Sequence, residues 1–238
     1  MNVASVNGII FDYGGTIDSN GMHWAEVIWN AYQKEQVPVE RPVFREAYIH
    51  GERTLGKNLI IQPHHTFLEM MQLKIDIQFE WLITHQYLPA SEANRSLSRV
   101  VDRCYQYARE STQNAIPILK KLAAKYPLVL VSNFYGNISA VLKDFHLDSY
   151  FPTIIESAVV GIRKPDPRIF SLGVEALNMK ADEVIVIGDS YDKDILPARA
   201  IGCNTIWLKG QGWEKYAGNE TADVIINDFV ELDTVFQI

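Results

Sequence analysis

The sequence has few cysteines and no long apolar run. Its two cysteines, Cys104 and Cys203, lie far apart and belong to no CxxC pair, which argues against a disulfide framework and a structural zinc site. No apolar stretch reaches the roughly 18 residues that a membrane-spanning helix requires. We therefore expect a soluble protein of the reducing cytoplasm.

Positive charge is also scarce. The chain of 238 residues has 22 Lys and Arg against 29 Asp and Glu, a formal net charge of −7. Surfaces that bind nucleic acids or anionic membranes need clustered Lys and Arg, so neither partner is predicted. A local cationic pocket is compatible with this composition. For assembly, the expectation is a monomer or a small homo-oligomer.

Short apolar runs alternate with amphipathic stretches of helix length along most of the chain. Such alternation indicates βαβ units and a parallel sheet covered on both faces. The predicted fold is therefore an α/β, doubly wound, Rossmann-like core with about six strands. The runs that predict these strands are residues 6–11, 128–131, 153–155, 184–187, 204–208 and 223–226.

Residues 19–108 differ from the rest of the chain. This segment has helical periodicity and many aromatic residues, and it contains no convincing strand. We interpret it as a helical cap domain inserted after the first strand, with residues 1–18 and 109–238 forming the core. A cap of this kind is expected to close over the site and exclude water.

Chemically active side chains follow several of the predicted strands. Asp12, Ser132 and Asp189 each stand at or next to a strand end, and Lys164 follows the third strand. In an open parallel sheet, ligands bind outside the carboxyl ends of the strands. Two carboxylates, a hydroxyl and an amine suit phosphoryl transfer, because they supply a nucleophile, magnesium ligands and donors for phosphate oxygens.

Four motifs in order resemble those of the haloacid dehalogenase-like superfamily. They are IIFDYGGTID, VLVSNF, RKPDPRIF and VIGDSYDKDI. The spacing is 120 residues from Asp12 to Ser132, 32 to Lys164 and 25 to Asp189, which is similar to that of the helical-cap branch with beta-phosphoglucomutase and phosphonatase. The resemblance implies a Mg²⁺-dependent hydrolase that acts on a small phosphorylated metabolite through an aspartyl-phosphate on Asp12.

The resemblance also implies a role for each matching position. Catalysis would depend on the nucleophile and on two groups that bind the transferring phosphoryl group: Asp12, Ser132 and Lys164. The metal would be held or oriented by three carboxylates and one backbone carbonyl: Asp12, Gly14, Asp189 and Asp194. The substrate would be bound by core residues near the nucleophile and by two cap residues: Thr16, Ser132, Asn133, Lys164, Arg53 and His23.

The sequence departs from the family pattern at one position. Phosphatases of this family usually carry a second Asp two residues after the nucleophile, as general acid and base, and here that residue is Gly14. Losing such a group typically costs about 10²- to 10⁴-fold in rate. A good leaving group could make the acid unnecessary, or the cap could supply it, with His23, Glu52 and Lys57 as candidates. Alternatively, the protein is a catalytically weak metabolite-binding or regulatory protein.

Two kinds of relative in this superfamily have other chemistry. Phosphonatase, a C–P bond hydrolase, has a small residue at the position of Gly14 and a cap lysine that forms an imine. The position expected for that lysine is Arg53, which cannot form an imine, although Lys57 lies one helical turn later. Dehalogenases lack the metal-binding aspartate of the fourth motif, whereas Asp189 and Asp194 are both present here.

Overall fold

A computed structural model describes residues 6–210 and 221–238. Within these residues, six parallel strands form one sheet in the order β3-β2-β1-β4-β5-β6. The predicted doubly wound core with a helical cap is confirmed. The strands are β1 (Gly8–Phe11), β2 (Leu128–Ser132), β3 (Thr153–Glu156), β4 (Val184–Gly188), β5 (Asn204–Leu208) and β6 (Val224–Ile226).

The first strand lies in the middle of the sheet. Phe11 pairs with Leu130 of β2 on one side and with Ile187 of β4 on the other. All residues of these three strands are buried, as expected for a parallel sheet with helices on both faces. The carboxyl ends of β1, β2 and β4 therefore meet at one edge of the sheet.

Nine α-helices accompany the sheet in the described residues. Four long helices come between β1 and β2, and the shorter ones connect or follow the later strands. Their bounds are α1 (Trp24–Lys34), α2 (Arg41–Lys57), α3 (Phe67–Thr84), α4 (Ala90–Ala123), α5 (Ile138–Asp144), α6 (Ser157–Val160), α7 (Arg168–Leu177), α8 (Leu196–Ala200) and α9 (Leu232–Phe236).

The cap consists of α1, α2, α3 and the first part of α4. Its interior is aromatic: the ring of Tyr32 lies 5.0 Å from that of Phe44 and 5.3 Å from that of Phe79. Helix α3 begins with a capping box: the hydroxyl of Thr66 accepts from the backbone N–H of Glu69, and the carboxylate of Glu69 accepts from the backbone N–H of Thr66. The proposed boundary at residues 108 and 109 falls inside α4, so one continuous helix joins cap and core.

Two further predictions concern the chain as a whole. In the described part of the chain, no helix has the length and apolar character needed to cross a membrane. Cys104 and Cys203 are buried free thiols, in keeping with the expectation of no disulfide between them. The cytoplasmic location stays a prediction.

Candidate functional site

The predicted site residues of the core converge at the edge of the sheet where β1, β2 and β4 end. Asp12 directly follows β1, Ser132 ends β2, and Asp189 directly follows β4. Lys164 belongs to the loop between α6 and α7. All four residues line one cavity of about 330 Å³, a volume at the small end of the range for ligand pockets.

Lys164 is the electrostatic centre of this cluster. Its Nζ atom lies 2.5 Å from Asp12 Oδ1 and 2.8 Å from Asp194 Oδ1, and only 2% of its side chain is exposed. Burial opposes the charge on Lys164, but the two carboxylates outweigh burial and raise its pKa. Lys164 is therefore a cation at neutral pH, and it aligns the nucleophile candidate with the loop after β4.

Three carboxylates form a group that could hold a metal ion. Single oxygen atoms of Asp12, Asp189 and Asp194 all lie within 4.8 Å of one another. Burial raises the pKa of Asp12 to about 6, with Lys164 opposing the shift. Burial and the nearby charge of Asp12 raise the pKa of Asp189 well above its usual range. A hard divalent cation such as Mg²⁺ fits this oxygen set, since it offsets the repulsion between the carboxylates.

Glycine is required where the loops after β1 and β4 approach each other. Gly15 has a φ of +96°, and a Cβ atom there would collide with the carboxylate of Asp189. At the end of β4, a Cβ atom on Gly188 would likewise collide with the side chain of Asp194. The close contact of the two loops therefore depends on the absence of a side chain at Gly15, and the placement of Asp194 next to the end of β4 depends on its absence at Gly188.

The remaining predicted core residues hold the cluster in place. The hydroxyl of Thr16 donates to Asp12 Oδ2 at 3.0 Å. The Asn133 side chain accepts from the backbone N–H of Lys164 at 2.9 Å and donates to its carbonyl at 3.1 Å. Asn133 thus fixes the loop that carries Lys164. Ser132 is buried and lines the cavity beside it.

Gly14 lines the cavity, and the space around its Cα is open. A Cβ atom built there would have one neighbour within 4 Å, Asp18 Oδ2 at 4.0 Å. The carboxylate of Asp18 accepts hydrogen bonds from the backbone N–H of Gly15 at 2.7 Å and from the indole of Trp24 at 2.9 Å. Asp18 therefore ties the turn after β1 to the first residue of the cap helix α1, and burial raises its pKa to about 7.

The cap side of the cavity contains an ion pair that joins two helices. Lys74 Nζ of α3 lies 2.7 Å from Glu52 Oε1 of α2. The hydroxyl of Tyr135, in the loop after β2, donates to Glu52 Oε2 at 2.9 Å. Burial opposes the charge on Glu52, but Lys74 and the Tyr135 hydroxyl outweigh it and lower the pKa of Glu52. Burial opposes the charge on Lys74 as well, but Glu52 raises the pKa of Lys74 well above its usual range.

Of the two cap residues expected to bind substrate, one lines the cavity. His23 does so, and its Nδ1 accepts from the backbone N–H of Ala25 at 3.1 Å as the N-cap of α1. Arg53 is exposed and does not line this cavity; its neighbour Glu52 faces inward instead. The physical reason is that successive residues of a helix point about 100° apart. Lys57, at the exposed end of α2, is likewise outside the cavity.

Lys74 was not among the predicted site residues, although its position in the helical pattern of α3 marks it as unusual. In α3 the buried positions follow a helical period and are apolar or carry an amide, with Lys74 as the exception: Phe67, Met70, Met71, Lys74, Ile75, Gln78, Phe79 and Leu82. A lysine on a buried helix face needs a partner charge. That pattern predicts an internal ion pair, but it does not identify the partner.

The neutral state of His23 leads to a prediction about acid stability. Burial, with a smaller effect of Lys193, lowers the pKa of His23 from 6.5 to about 4. The unfolded chain therefore binds a proton at higher pH, and stability is lost as pH falls from about 6.5 towards 4. At pH 5 this loss should be about 2 kcal/mol relative to pH 8. His23→Asn keeps a capping acceptor and should lose about 2 kcal/mol less than the wild type between these pH values.

Urea unfolding of both proteins at pH 8 and pH 5 measures this difference directly. The other acidic and basic groups titrate equally in the two proteins, so their contributions cancel in the comparison. An equal loss of unfolding free energy in wild type and variant would contradict the neutral, buried state of His23.

Comparison with known proteins gives three kinds of similarity. A family model described as haloacid dehalogenase-like hydrolase matches residues 6–202. Glyceraldehyde 3-phosphate phosphatase of Pyrococcus furiosus is 34% identical over 96 residues, which cover 38% of this chain and 39% of that relative. The chain thus spans about two fifths of the length of this relative in the match.

Two other relatives align along almost the whole chain. Phosphoglycolate phosphatase of Salmonella paratyphi A is 23% identical over 235 residues, covering 96% of this chain and 91% of the relative. The crystal structure of YfnB from Bacillus subtilis bound to magnesium has a TM-score of 0.61 at 16% identity and covers 98% of this chain and 99% of its own. At such identity, the structural match shows a shared fold.

Proposed function

Because this chain belongs to the haloacid dehalogenase-like hydrolases, we propose that it is a magnesium-dependent phosphohydrolase of small phosphorylated metabolites. The observation that carries the proposal is the convergence of Asp12, Asp189 and Asp194 with the Lys164 ammonium in one small cavity. Such a set supplies a nucleophile, ligands for a cation and a donor for phosphate oxygens.

Asp12 would be the nucleophile. Its carboxylate attacks phosphorus, the bond between phosphorus and the leaving oxygen breaks, and an aspartyl-phosphate forms on Asp12. Water then attacks this phosphorus, so that inorganic phosphate leaves and the Asp12 carboxylate is restored. Lys164 and Ser132, which line the cavity beside Asp12, would donate to the phosphoryl oxygens, whose charge distribution changes in the transition state.

The magnesium site would use residues of the same cluster. Asp12, Asp189 and the carbonyl of Gly14 would hold the ion. Asp194 would orient the water around it. When bound, Mg²⁺ neutralises charge on the reacting phosphate. Thr16 and Asn133 would fix the nucleophile and the Lys164 loop through the hydrogen bonds described above.

The relatives suggest the class of substrate. Their names specify glyceraldehyde 3-phosphate and phosphoglycolate, which are small phosphate esters, and the cavity of about 330 Å³ suits molecules of this size. His23 lines the cap side of this cavity and would contact the substrate there. The exposed position of Arg53 gives no support to a substrate-binding role for that residue.

The structure does not place a general acid near Gly14 on the cap. Glu52 is ionised and paired with Lys74, Lys57 lies outside the cavity, and His23, with a pKa of about 4, is neutral at pH 7. Among the core residues, Asp18 beside Gly14 has a pKa raised to about 7, but its two oxygens already accept hydrogen bonds from Gly15 and Trp24. These states favour substrates whose leaving group needs no proton, such as acyl phosphates. The charged state of Lys74 also disfavours an imine mechanism of the phosphonatase type, which requires a neutral amine.

We expect the rate of hydrolysis to depend strongly on the leaving group. With Mg²⁺, acetyl phosphate should be hydrolysed at least about 10²-fold faster than glycerol 3-phosphate, because the missing acid matters only for the poor leaving group. Gly14→Asp should raise hydrolysis of glycerol 3-phosphate by about 10-fold or more, since the space around Gly14 accepts a side chain. Gly14→Asn is the matched control, because the Asn side chain has the shape of Asp but is not acidic. This variant should not hydrolyse glycerol 3-phosphate faster than the wild type.

Release of inorganic phosphate measures all these reactions. Equal rates on both compounds would show that another group already supplies the proton. If magnesium and the compounds bind without any turnover, the protein is a metabolite-binding or regulatory protein rather than a hydrolase.

A further inference from the structure

A charge-balanced pair on the cap faces the same cavity as the nucleophile. Among the described residues that line the cavity, the cap contributes one cation, Lys74, and one carboxylate, Glu52. The remaining cap residues there are apolar or uncharged: His23, Trp24, Tyr48, Phe67, Met70 and Met71.

The pair is held rigidly. Lys74 Nζ lies 2.7 Å from Glu52 and 5.2 Å from the centre of the Tyr135 ring, and the Tyr135 hydroxyl binds the second oxygen of Glu52. Only 7% of the Lys74 side chain is exposed. Lys74 therefore cannot turn towards a substrate anion without breaking its ion pair with Glu52, and an ammonium that is buried without its partner charge is strongly unfavourable.

The pair lies on the part of the cap that adjoins the loop after β2. Tyr135 lies two residues after Asn133 and three after Ser132, in the loop that leads from β2 into the site. A pair in contact with Tyr135 thus lies on the cap wall that faces this loop. Groups attached to a phosphate bound at Asp12 would meet this wall.

We propose that the Lys74–Glu52 pair selects, among small phosphate esters, those whose leaving group is uncharged and carries hydroxyl or carbonyl groups, and rejects those with a carboxylate, phosphoglycolate included. A carboxylate near Lys74 would also approach Glu52, and the repulsion between two carboxylates cancels the attraction of the amine. An uncharged oxygen can accept a hydrogen bond from Lys74 without this penalty.

Three other charged residues of the cavity wall have a weaker effect on a substrate carboxylate than Lys74 and Glu52. Arg163, Asp192 and Lys193 line the cavity but are exposed, so solvent screens their charges more than those of the buried Lys74 and the partly buried Glu52. The inference rests on the proposed phosphohydrolase function, and it concerns only which leaving group that activity accepts.

A matched pair of substrates tests the proposal. Glyceraldehyde 3-phosphate and 3-phosphoglycerate differ only in having an aldehyde or a carboxylate at the far end. For the wild type, kcat/KM for the aldehyde should exceed that for the carboxylate by about 10-fold or more. In Glu52→Gln the amine is left without a partner charge, and the ratio should fall below one. In the double variant Glu52→Gln/Lys74→Met, both charges are gone and the ratio should lie near one.

If the pair had only a structural role, its removal would lower kcat/KM for both compounds together and would leave their ratio unchanged. A wild type that prefers 3-phosphoglycerate, or a ratio that is the same in the wild type and both variants, would overturn the inference. If Glu52→Gln does not fold, the ratio in the wild type compared with that in the double variant, which has no unpaired charge, decides the matter.

The failure of the proposed function has a different signature. In that case neither compound is hydrolysed by the folded wild type with Mg²⁺. Calorimetric titration with the same two compounds then gives the selectivity from binding alone. Tighter binding of the carboxylate would still reject the role of the pair, and tighter binding of the aldehyde would support it.

Discussion

Replacing Asp12 by Asn is expected to reduce kcat by about 10⁴-fold or more on every phosphorylated substrate, because the amide cannot form the covalent intermediate. The substitution is isosteric, and Thr16 Oγ1, which donates to Asp12 Oδ2, can donate equally to the amide oxygen. Lys164 loses the Asp12 carboxylate as a partner but keeps that of Asp194 at 2.8 Å, so the fold should be retained. Phosphate release under single-turnover conditions, with and without Mg²⁺, measures the loss.

The cavity offers a matched control for this substitution. Asp192 lines the same cavity but is exposed at its rim and does not belong to the acidic cluster. Asp192→Asn removes one negative charge in the same way and should change kcat by less than about threefold. Equal losses in the two variants would mean that charge alone, and not a nucleophile, explains the effect of Asp12.

Replacing Lys164 by Met is expected to affect both catalysis and folding. The amine contacts Asp12 and Asp194 and is almost fully buried, so its loss leaves acidic groups without a compensating charge. Breaking a buried ion pair of this kind costs about 3 to 5 kcal/mol, and kcat should fall by about 10²- to 10³-fold through loss of a donor to the phosphoryl group.

Urea unfolding and phosphate release measure the two effects separately. Mg²⁺ should restore part of the lost stability, since it also neutralises the carboxylates. Lys193→Met is the control, because Lys193 lines the same cavity but is exposed. A Lys164→Met protein as stable and as active as the control would contradict the central position assigned to Lys164.

The core of the site was predictable from sequence because strands carry their own signal. An apolar run followed by a polar residue places that residue at a strand end, and parallel strands bring such ends to one edge. Asp12, Ser132 and Asp189 follow this rule, and the structure brings them together. The apolar runs do not give the bounds of the strands. The first run starts at residue 6, whereas β1 begins at Gly8, where pairing with Val184 begins.

The cap side of the site was not predictable in the same way. Helical periodicity shows which residues share a face, but it does not show what that face meets. Arg53 was expected in the cavity, whereas Glu52 lies there, because the rotation of α2 is set by its packing on α3. Lys74 and Glu52 are 22 positions apart in the sequence, and their contact exists only once two helices lie side by side.

The sequence by itself determined the parallel sheet, the helical insertion and the set of core residues at the strand ends. Each of these follows from local patterns of apolar and polar residues and from glycine at the turns. Tertiary structure alone decided which charges meet: the bridge of Lys164 to Asp12 and Asp194, and the pairing of Lys74 with Glu52 beside Tyr135. The physical reason is that electrostatic interactions depend on distances between segments and on burial, and neither is encoded in any one segment.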